Sequence, residues 1–244
     1  MKQIARRWAL AGIGLAGLGG AALGAVVTGS PVVGTSDKAA IEAVVRDYIL
    51  AHPEIIPEAM DRLHERETAK AIVADRKGIE TPFAGAWAGN PNGDVTLVMF
   101  TDYSCGFCRA SAPEIDKLLA EDPKLKVVWR EIPVLGPQSE VAARVALAAA
   151  KQGRYLPFHR AVFLDGHPDQ AHLSATGKAV GLDQGRLAAD SKSADIAHEI
   201  DANIAIAQRI GVSGTPAFVI GDKMLSGAVG HDALAKAIAD ARKG

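Results

Sequence analysis

Apolar and polar positions change period three times along the chain. Trp8 to Val27 is apolar or glycine throughout, with Lys2, Arg6 and Arg7 before it and no charge until Asp37. A basic start, an apolar middle and a small-residue exit predict an export signal. The run is also long enough to cross a bilayer, for which roughly 20 residues suffice. Six glycines between Gly12 and Gly24 make it weakly hydrophobic, which favours a signal over a permanent anchor at residues 8–27. The Arg6-Arg7 surroundings fit a twin-arginine signal poorly, so ordinary secretion is the expected route. Thr28 to Thr35 reads as a linker or cleavage region. A helical period follows. Ile41, Val44, Val45, Tyr48 and Ile49 fall on one stripe, Pro53 interrupts it, and Ile55, Ile56, Ala59, Met60 and Leu63 resume it. Asp61 to Lys77 is densely charged. An apolar stripe of this kind needs a partner, either the rest of the chain or another copy. Residues 36–80 are therefore expected as a helical arm and a candidate oligomerisation segment.

Thr81 to Asp94, rich in Gly, Pro and Asn, marks a boundary. Beyond it the pattern alternates between strand and helix. Val95 to Phe100 has strand length and apolarity, and Cys105 to about Leu119 is helical across Pro113. Leu125 to Ile132 is a second strand. Ser139 to Lys151 is an Ala-rich helix, followed by helical stretches at 155–163, 173–180, 184–189 and 194–210, the last with Gly211 suited to its C′ position. Ala217 to Ile220 and Lys223 to Ser226 form a hairpin across Gly221-Asp222, and His231 to Arg242 is a final helix. The order is β-α-β, a helical block at about 139–210, then β-β-α, an α/β class.

Composition narrows the function. The chain has 244 residues, with 27 Lys+Arg against 28 Asp+Glu. Without Lys2, Arg6 and Arg7 the remainder has 24 basic and 28 acidic residues, a balance of −4. That argues against a basic nucleic-acid surface. There are two cysteines, Cys105 and Cys108, in a chain expected outside the cytoplasm, where disulfides persist.

A strand runs into Thr101-Asp102-Tyr103-Ser104-Cys105-Gly106-Phe107-Cys108 and a helix runs out of it. Cys105 is thus expected at a helix N-terminus, where free N–H groups and the dipole favour a thiolate. Cys108 lies one turn further in. Cys105 is the expected nucleophile and Cys108 the resolving thiol. A structural disulfide across so short a loop restrains the unfolded chain little. Structural zinc normally takes four ligands. The local cluster of His167, Asp169 and His172 looks like a surface loop, so no metal site is expected there, and Arg109 stands where a c-type haem motif has His. A redox dithiol needing no cofactor is the best reading. Trp129, Tyr155 and Phe158 are expected in the core rather than a groove, His159 on a helix surface, and Arg109 either beside the Cys105 thiolate or in solvent.

The stretch from Asp94 to Cys108, the block Arg130-Glu131-Ile132-Pro133-Val134-Leu135-Gly136 and the later Gly211-Val212-Ser213-Gly214-Thr215-Pro216-Ala217 together resemble the DsbA-like branch of the thioredoxin superfamily. The likeness extends from about Gly89 to the C-terminus. It implies a thioredoxin-like core over residues 81–244 with a helical insertion at about 139–210, preceded by the N-terminal helical arm. It further implies a cis Thr215-Pro216 bond facing the cysteines, with Thr215 and Pro216 receiving a substrate strand. Met99 stands where many relatives carry an acid that moves a proton from the buried cysteine. Asp102 is the expected substitute relay, or else a helix cap. The dipeptide Gly106-Phe107 lacks the Pro and His of the most oxidising relatives, which implies a milder couple. Thr before the cis-Pro, and an arm containing His52-Pro53-Glu54, resemble disulfide isomerases and trimeric relatives.

The expected function is an extracytoplasmic thiol-disulfide oxidoreductase forming or isomerising disulfides in exported proteins through Cys105 and Cys108. The expected partners are cysteine-containing exported proteins, a redox partner that recycles the dithiol, and other copies of the chain through residues 37–80. Two alternatives remain open: a disulfide reductase, and a soft-metal (copper) module using the same two thiolates.

Overall fold

The computed structural model describes residues 35–164, 166 and 168–243. The expected export signal or anchor at residues 8–27 lies outside them. Among the described residues no helix is long and apolar enough to cross a membrane. Two compact units divide the chain between Pro53 and Glu54. The described part of the first is helix α1 (Thr35–Ala51), which stops short of Pro53. Ile41, Val44, Val45, Tyr48 and Leu50 on it are all at least half exposed.

The second unit begins with α2 (Ile55–Ala74) and the single-turn α3 (Arg76–Glu80). Then follow β1 (Trp87–Gly89), β2 (Val95–Thr101), α4 (Gly106–Glu121) and β3 (Leu125–Glu131). The helical block consists of α5 (Pro137–Lys151), α6 (Tyr155–Leu164), α7 (Gln170–Ala179), α8 (Gln184–Asp190) and α9 (Ala194–Arg209). The chain closes with β4 (Ala217–Ile220), β5 (Lys223–Ser226) and α10 (His231–Ala241). Gly211, at φ +82°, sits just past α9, where Val212 N–H reaches back to Ala207 O at 2.8 Å and ends the helix. Gly221, at φ +59°, makes the β4–β5 turn. The Gly-rich segment before Asp94 contains one strand the pattern did not reveal, β1. Its three residues are too few to show a period.

The five strands run in the order β1-β3-β2-β4-β5. Only β2 and β3 are parallel, and their register pairs Val95 with Leu125 through to Thr101 with Glu131. Alternation along the strands supplies two cores. On one face Leu97, Met99, Val127 and Trp129 meet α4, α5, α6 and α10. On the other, Val98, Phe100 and Val128 meet Ile72 of α2, Ile79 of α3 and Ile206 of α9. Part of the stretch expected as an arm therefore belongs to this core, whereas Ile56, Met60 and Leu63 of α2 stay exposed.

Arg130 fastens the second face. Its Nη1 donates to Glu199 Oε1 and to Asn203 Oδ1, both at 2.8 Å. Its Nε donates to Ile79 O at 3.2 Å, and Nη2 to Thr81 O at 2.5 Å and to Gly78 O. One buried guanidinium thus joins β3, α3 and α9. Removing its counter-charge leaves that cation uncompensated. Glu199→Ala is expected to destabilise the fold by about 3 kcal/mol in urea denaturation. Glu140→Ala, which breaks a solvent-facing pair with Arg144 on α5, should cost less than about 1 kcal/mol. Equal costs would show that Arg130 is not a fastening point.

Candidate active site

β2 ends at Thr101, and the turn that follows is organised by Asp102, a side chain only 1% exposed. Its carbonyl accepts Cys105 N–H at 3.1 Å. Its Oδ1 accepts Ser104 N–H at 2.8 Å, and its Oδ2 accepts Val134 N–H at 2.9 Å and Leu135 N–H at 3.0 Å. One carboxylate therefore holds both the turn before the cysteines and the loop after β3. That loop presents Val134 and Leu135, each more than half exposed, and Phe107 of the dipeptide is 68% exposed. Both Asp102 oxygens are taken by backbone N–H groups. The N-cap of α4 is Cys105 itself.

Cys105 has extended geometry (φ −84°, ψ 116°), and its Sγ accepts Cys108 N–H at 3.4 Å. Ordinarily Ser, Thr, Asp or Asn supplies that acceptor; here it is sulfur. The same Sγ lies 3.3 Å from Thr215 O, and Thr215-Pro216 is cis. Both cysteines are free. Cys105 retains 6% of its surface and Cys108 none. Burial pushes the Cys108 thiol up to about 12, against the opposing effect of the Asp102 backbone and the Thr101 and Thr215 side chains. The geometry can carry disulfide exchange at Cys105, the sulfur that solvent reaches, with Cys108 one helical turn behind it.

Arg109 is held by a loop carbonyl. Its Nη2 donates to Gly166 O at 2.5 Å. Trp129, Tyr155 and Phe158 are core residues, as expected. His159 is a correction: it is 2% exposed rather than on a helix surface. It faces inward among Tyr103, Trp129, Tyr155 and Phe163. Its Nδ1 bonds Tyr103 OH at 2.9 Å, and burial pushes its pKa down to about 3. Asp169 caps α7 by accepting His172 N–H at 2.8 Å; His167 lies outside the described residues.

The residue that sequence reasoning passed over is Glu131, at the end of β3 and 0% exposed. Tyr155 OH donates to its Oε1 at 2.5 Å. Its Oε2 has no partner among the described residues. Burial pushes its pKa up to about 8, against the hydrogen bonds of Tyr155 and Tyr103 and with help from the Asp102 charge. The signal was present in the chain: Leu125, Val127 and Trp129 alternate inward, and Glu131 is next in that series.

Glu131 sets a pH dependence of stability. Its folded pKa lies above the ordinary value of 4.5. Between those two pH values the unfolded chain has released a proton that the folded chain still holds, so stability falls as pH rises. Glu131→Gln keeps an acceptor for Tyr155 and removes the titration. In urea denaturation the stability of this variant relative to the parent is expected to rise from pH 4.5 to 8 and level off above. A constant difference would exclude a buried, neutral Glu131.

The profile of the DSBA-like thioredoxin domain matches residues 96–239. That of the copper resistance protein ScsC N-terminal domain matches residues 37–70. A thioredoxin-like oxidoreductase from Silicibacter pomeroyi is 38% identical with TM-score 0.66, over 69% of this chain and 98% of that one. A linker-deletion mutant of ScsC from Proteus mirabilis is 25% identical with TM-score 0.70, over 88% of this chain and 99% of that one. Among curated proteins, the Na(+)/H(+) antiporter NhaA 3 of Salinispora tropica is 30% identical over 195 residues, 74% of this chain. The chain spans only 29% of that antiporter's length. With its parallel β2–β3 pair, its Cys105-capped α4 and the cis Thr215-Pro216 opposite, the chain belongs to the family of DSBA-like thioredoxin domains.

Proposed function

We propose that the chain is an extracytoplasmic thiol-disulfide oxidoreductase that forms or isomerises disulfides in exported proteins. The observation that carries this reading is Cys105 Sγ, N-capping α4 and 3.3 Å from the Thr215 carbonyl, with the fully buried Cys108 one turn behind. Cys105 is the nucleophile. It attacks a substrate disulfide, or is attacked in its own, and Cys108 resolves the mixed disulfide. Thr215 and Pro216 receive the substrate backbone, and the exposed Phe107, Val134 and Leu135 meet its apolar side chains. Asp102 holds that surface and the Cys105 turn together. Cysteine-containing exported proteins are the substrates, and a separate redox partner recycles the dithiol. The basic and apolar start of the chain supports an address outside the cytoplasm, with residues 8–27 as the leader or a membrane tether.

The arm associates with further copies of the chain. Ile41, Val44 and Tyr48 of α1 are exposed at the spacing of a helix–helix seam, and the segment that resembles an ScsC N-terminal domain spans them. Several Cys105 sites held in one assembly suit isomerisation; a single site suits oxidation.

Three measurements test this. In glutathione buffers of graded ratio, thiol alkylation should give a reversible Cys105–Cys108 couple between about −120 and −200 mV. A value near −270 mV would make the protein a reductase, and no couple at all would favour soft-metal binding by the two thiolates, readable as metal in freshly purified protein. Cys108→Ser should accumulate a mixed disulfide that Cys105→Ser never forms; trapping by Cys105→Ser alone would reverse the assigned roles, and equal trapping would abolish the distinction. Light scattering of the full chain should give an oligomer, and Val44→Glu should reduce it to a monomer. A monomeric parent would remove the association.

A further inference from the structure

The connector between β5 and α10, residues 227–230, begins and ends on glycine, and both glycines are left-handed (Gly227 φ +82°, Gly230 φ +78°). Its inner end is tied to a residue proposed to receive substrate: Gly227 N–H donates to Pro216 O at 2.8 Å. Its outer end runs into α10 at His231. The N-cap, Gly230, has no side chain with which to cap that helix. Leu234, whose N–H reaches Gly230 O at 3.3 Å, is buried in the core that contains Ile115 and Leu118 of α4. The polar hold on this turn is made by His231. Its Nε2 lies 2.8 Å from Oε2 of Glu121, the last residue of α4, and its Nδ1 lies 3.1 Å from Asp232 Oδ1.

A neutral imidazole has one N–H and one bare nitrogen, and a carboxylate only accepts. Two carboxylates on the two ring nitrogens are therefore satisfied together only by the imidazolium. The His231 side chain is 16% exposed. The charged groups facing it are Glu121 and Lys117 of α4 and Asp232 of α10. Lys117 and the positive end of the α10 dipole oppose a cation there; the two carboxylates and the C-terminal end of α4 favour it. The carboxylates prevail, and the hydrogen bonds to Asp232 and Glu121 raise the His231 pKa above its ordinary 6.5. The far end of α10 is fixed differently. Arg242 pairs with Asp122, the C-cap of α4, and with Asp94, both at 2.8 Å. A guanidinium keeps its charge throughout. The end of α4 is thus joined to α10 by one permanent pair and one that titrates.

We propose that His231 is a proton-operated latch: charged, it fastens the start of α10 to α4 and steadies the connector whose Gly227 holds the Pro216 carbonyl; neutral, it lets go of one carboxylate and the connector loosens. The folded chain holds this proton more tightly than the unfolded chain does. The stabilisation is therefore complete below pH 6.5 and is lost as pH rises through the higher folded value. The latch stands apart from the dithiol chemistry. Only its consequence for substrate reception at Pro216 rests on the reading above.

The test is a pair of NMR titrations of the full chain from about pH 5.5 to 8.5. One follows the His231 ring through its carbon-bound protons. The other follows amide hydrogen exchange at Gly227 and Leu234 as protection factors, which removes the pH dependence of the intrinsic rate. In the parent His231 should titrate above 6.5, and Glu121→Gln should lower that value. Protection at both amides should fall about threefold across the titration, the size of a partly exposed ion pair. His231→Gln should be flat at the parent's alkaline level. His231→Arg, with two donors and a fixed charge, should be flat at the parent's acid level. A merely structural role for the ring would lower protection in both variants at every pH. A His231 titration at or below 6.5, constant protection in the parent, or a fall kept in His231→Gln overturns the latch. None of these readouts uses the cysteines, so a chain without a reversible Cys105–Cys108 couple would lose the oxidoreductase reading and keep the latch.

Discussion

A buried carboxylate persists only where its lone pairs are answered, and at Asp102 the main chain answers them. Three N–H groups from two separate segments converge on one side chain. This makes the Cys105 turn and the loop after β3 a single piece. The direction in which α4 starts, the placement of Cys105 Sγ beside Thr215 and the presentation of Val134 and Leu135 all follow from that convergence. A neutral side chain of the same shape accepts fewer and weaker hydrogen bonds, because those to an ionised acceptor are about twice as strong.

The adjacent residues Arg130 and Glu131 solve the same problem in opposite ways. Each enters the interior at the end of β3, on opposite faces of the sheet. Arg130 keeps its charge, surrounded by Glu199, Asn203 and three carbonyl groups. Glu131 instead holds its proton toward neutral pH, with the Tyr155 and Tyr103 hydroxyls beside it. The first arrangement fixes architecture. The second leaves a group able to change its protonation within the physiological range, on the face that carries the cysteines.

The sequence made the frame legible because its signals were local. Alternation in Val95–Phe100 and Leu125–Ile132, Gly211 after a long amphipathic run, and Gly221 between two short apolar runs each name their own element. The two cysteines, three apart at a strand-to-helix junction, mark the site of the proposed chemistry. What stayed hidden depends on neighbours distant in the chain. His159 reads as a helix-surface residue until Tyr103 and Trp129 close over it. Glu131 reads as a polar strand end until Tyr155 from α6 covers it. Asp102 reads as a relay or a cap until Val134 and Leu135, more than thirty residues later, arrive at its second oxygen. The three-residue β1 exists through its pairing with β3 and has no period of its own.

The two outermost strands have a further consequence. β1 contributes three residues and β5 four, and β5 begins with the exposed Lys223. A domain that receives unfinished polypeptides in extended form is constantly offered strands seeking a sheet to join. Long, flat, apolar borders would accept them by backbone pairing and template aggregates. Short borders, one of them carrying a cation, give such a guest little ladder to extend. The sheet is thereby insulated against the clients its cysteines are proposed to serve.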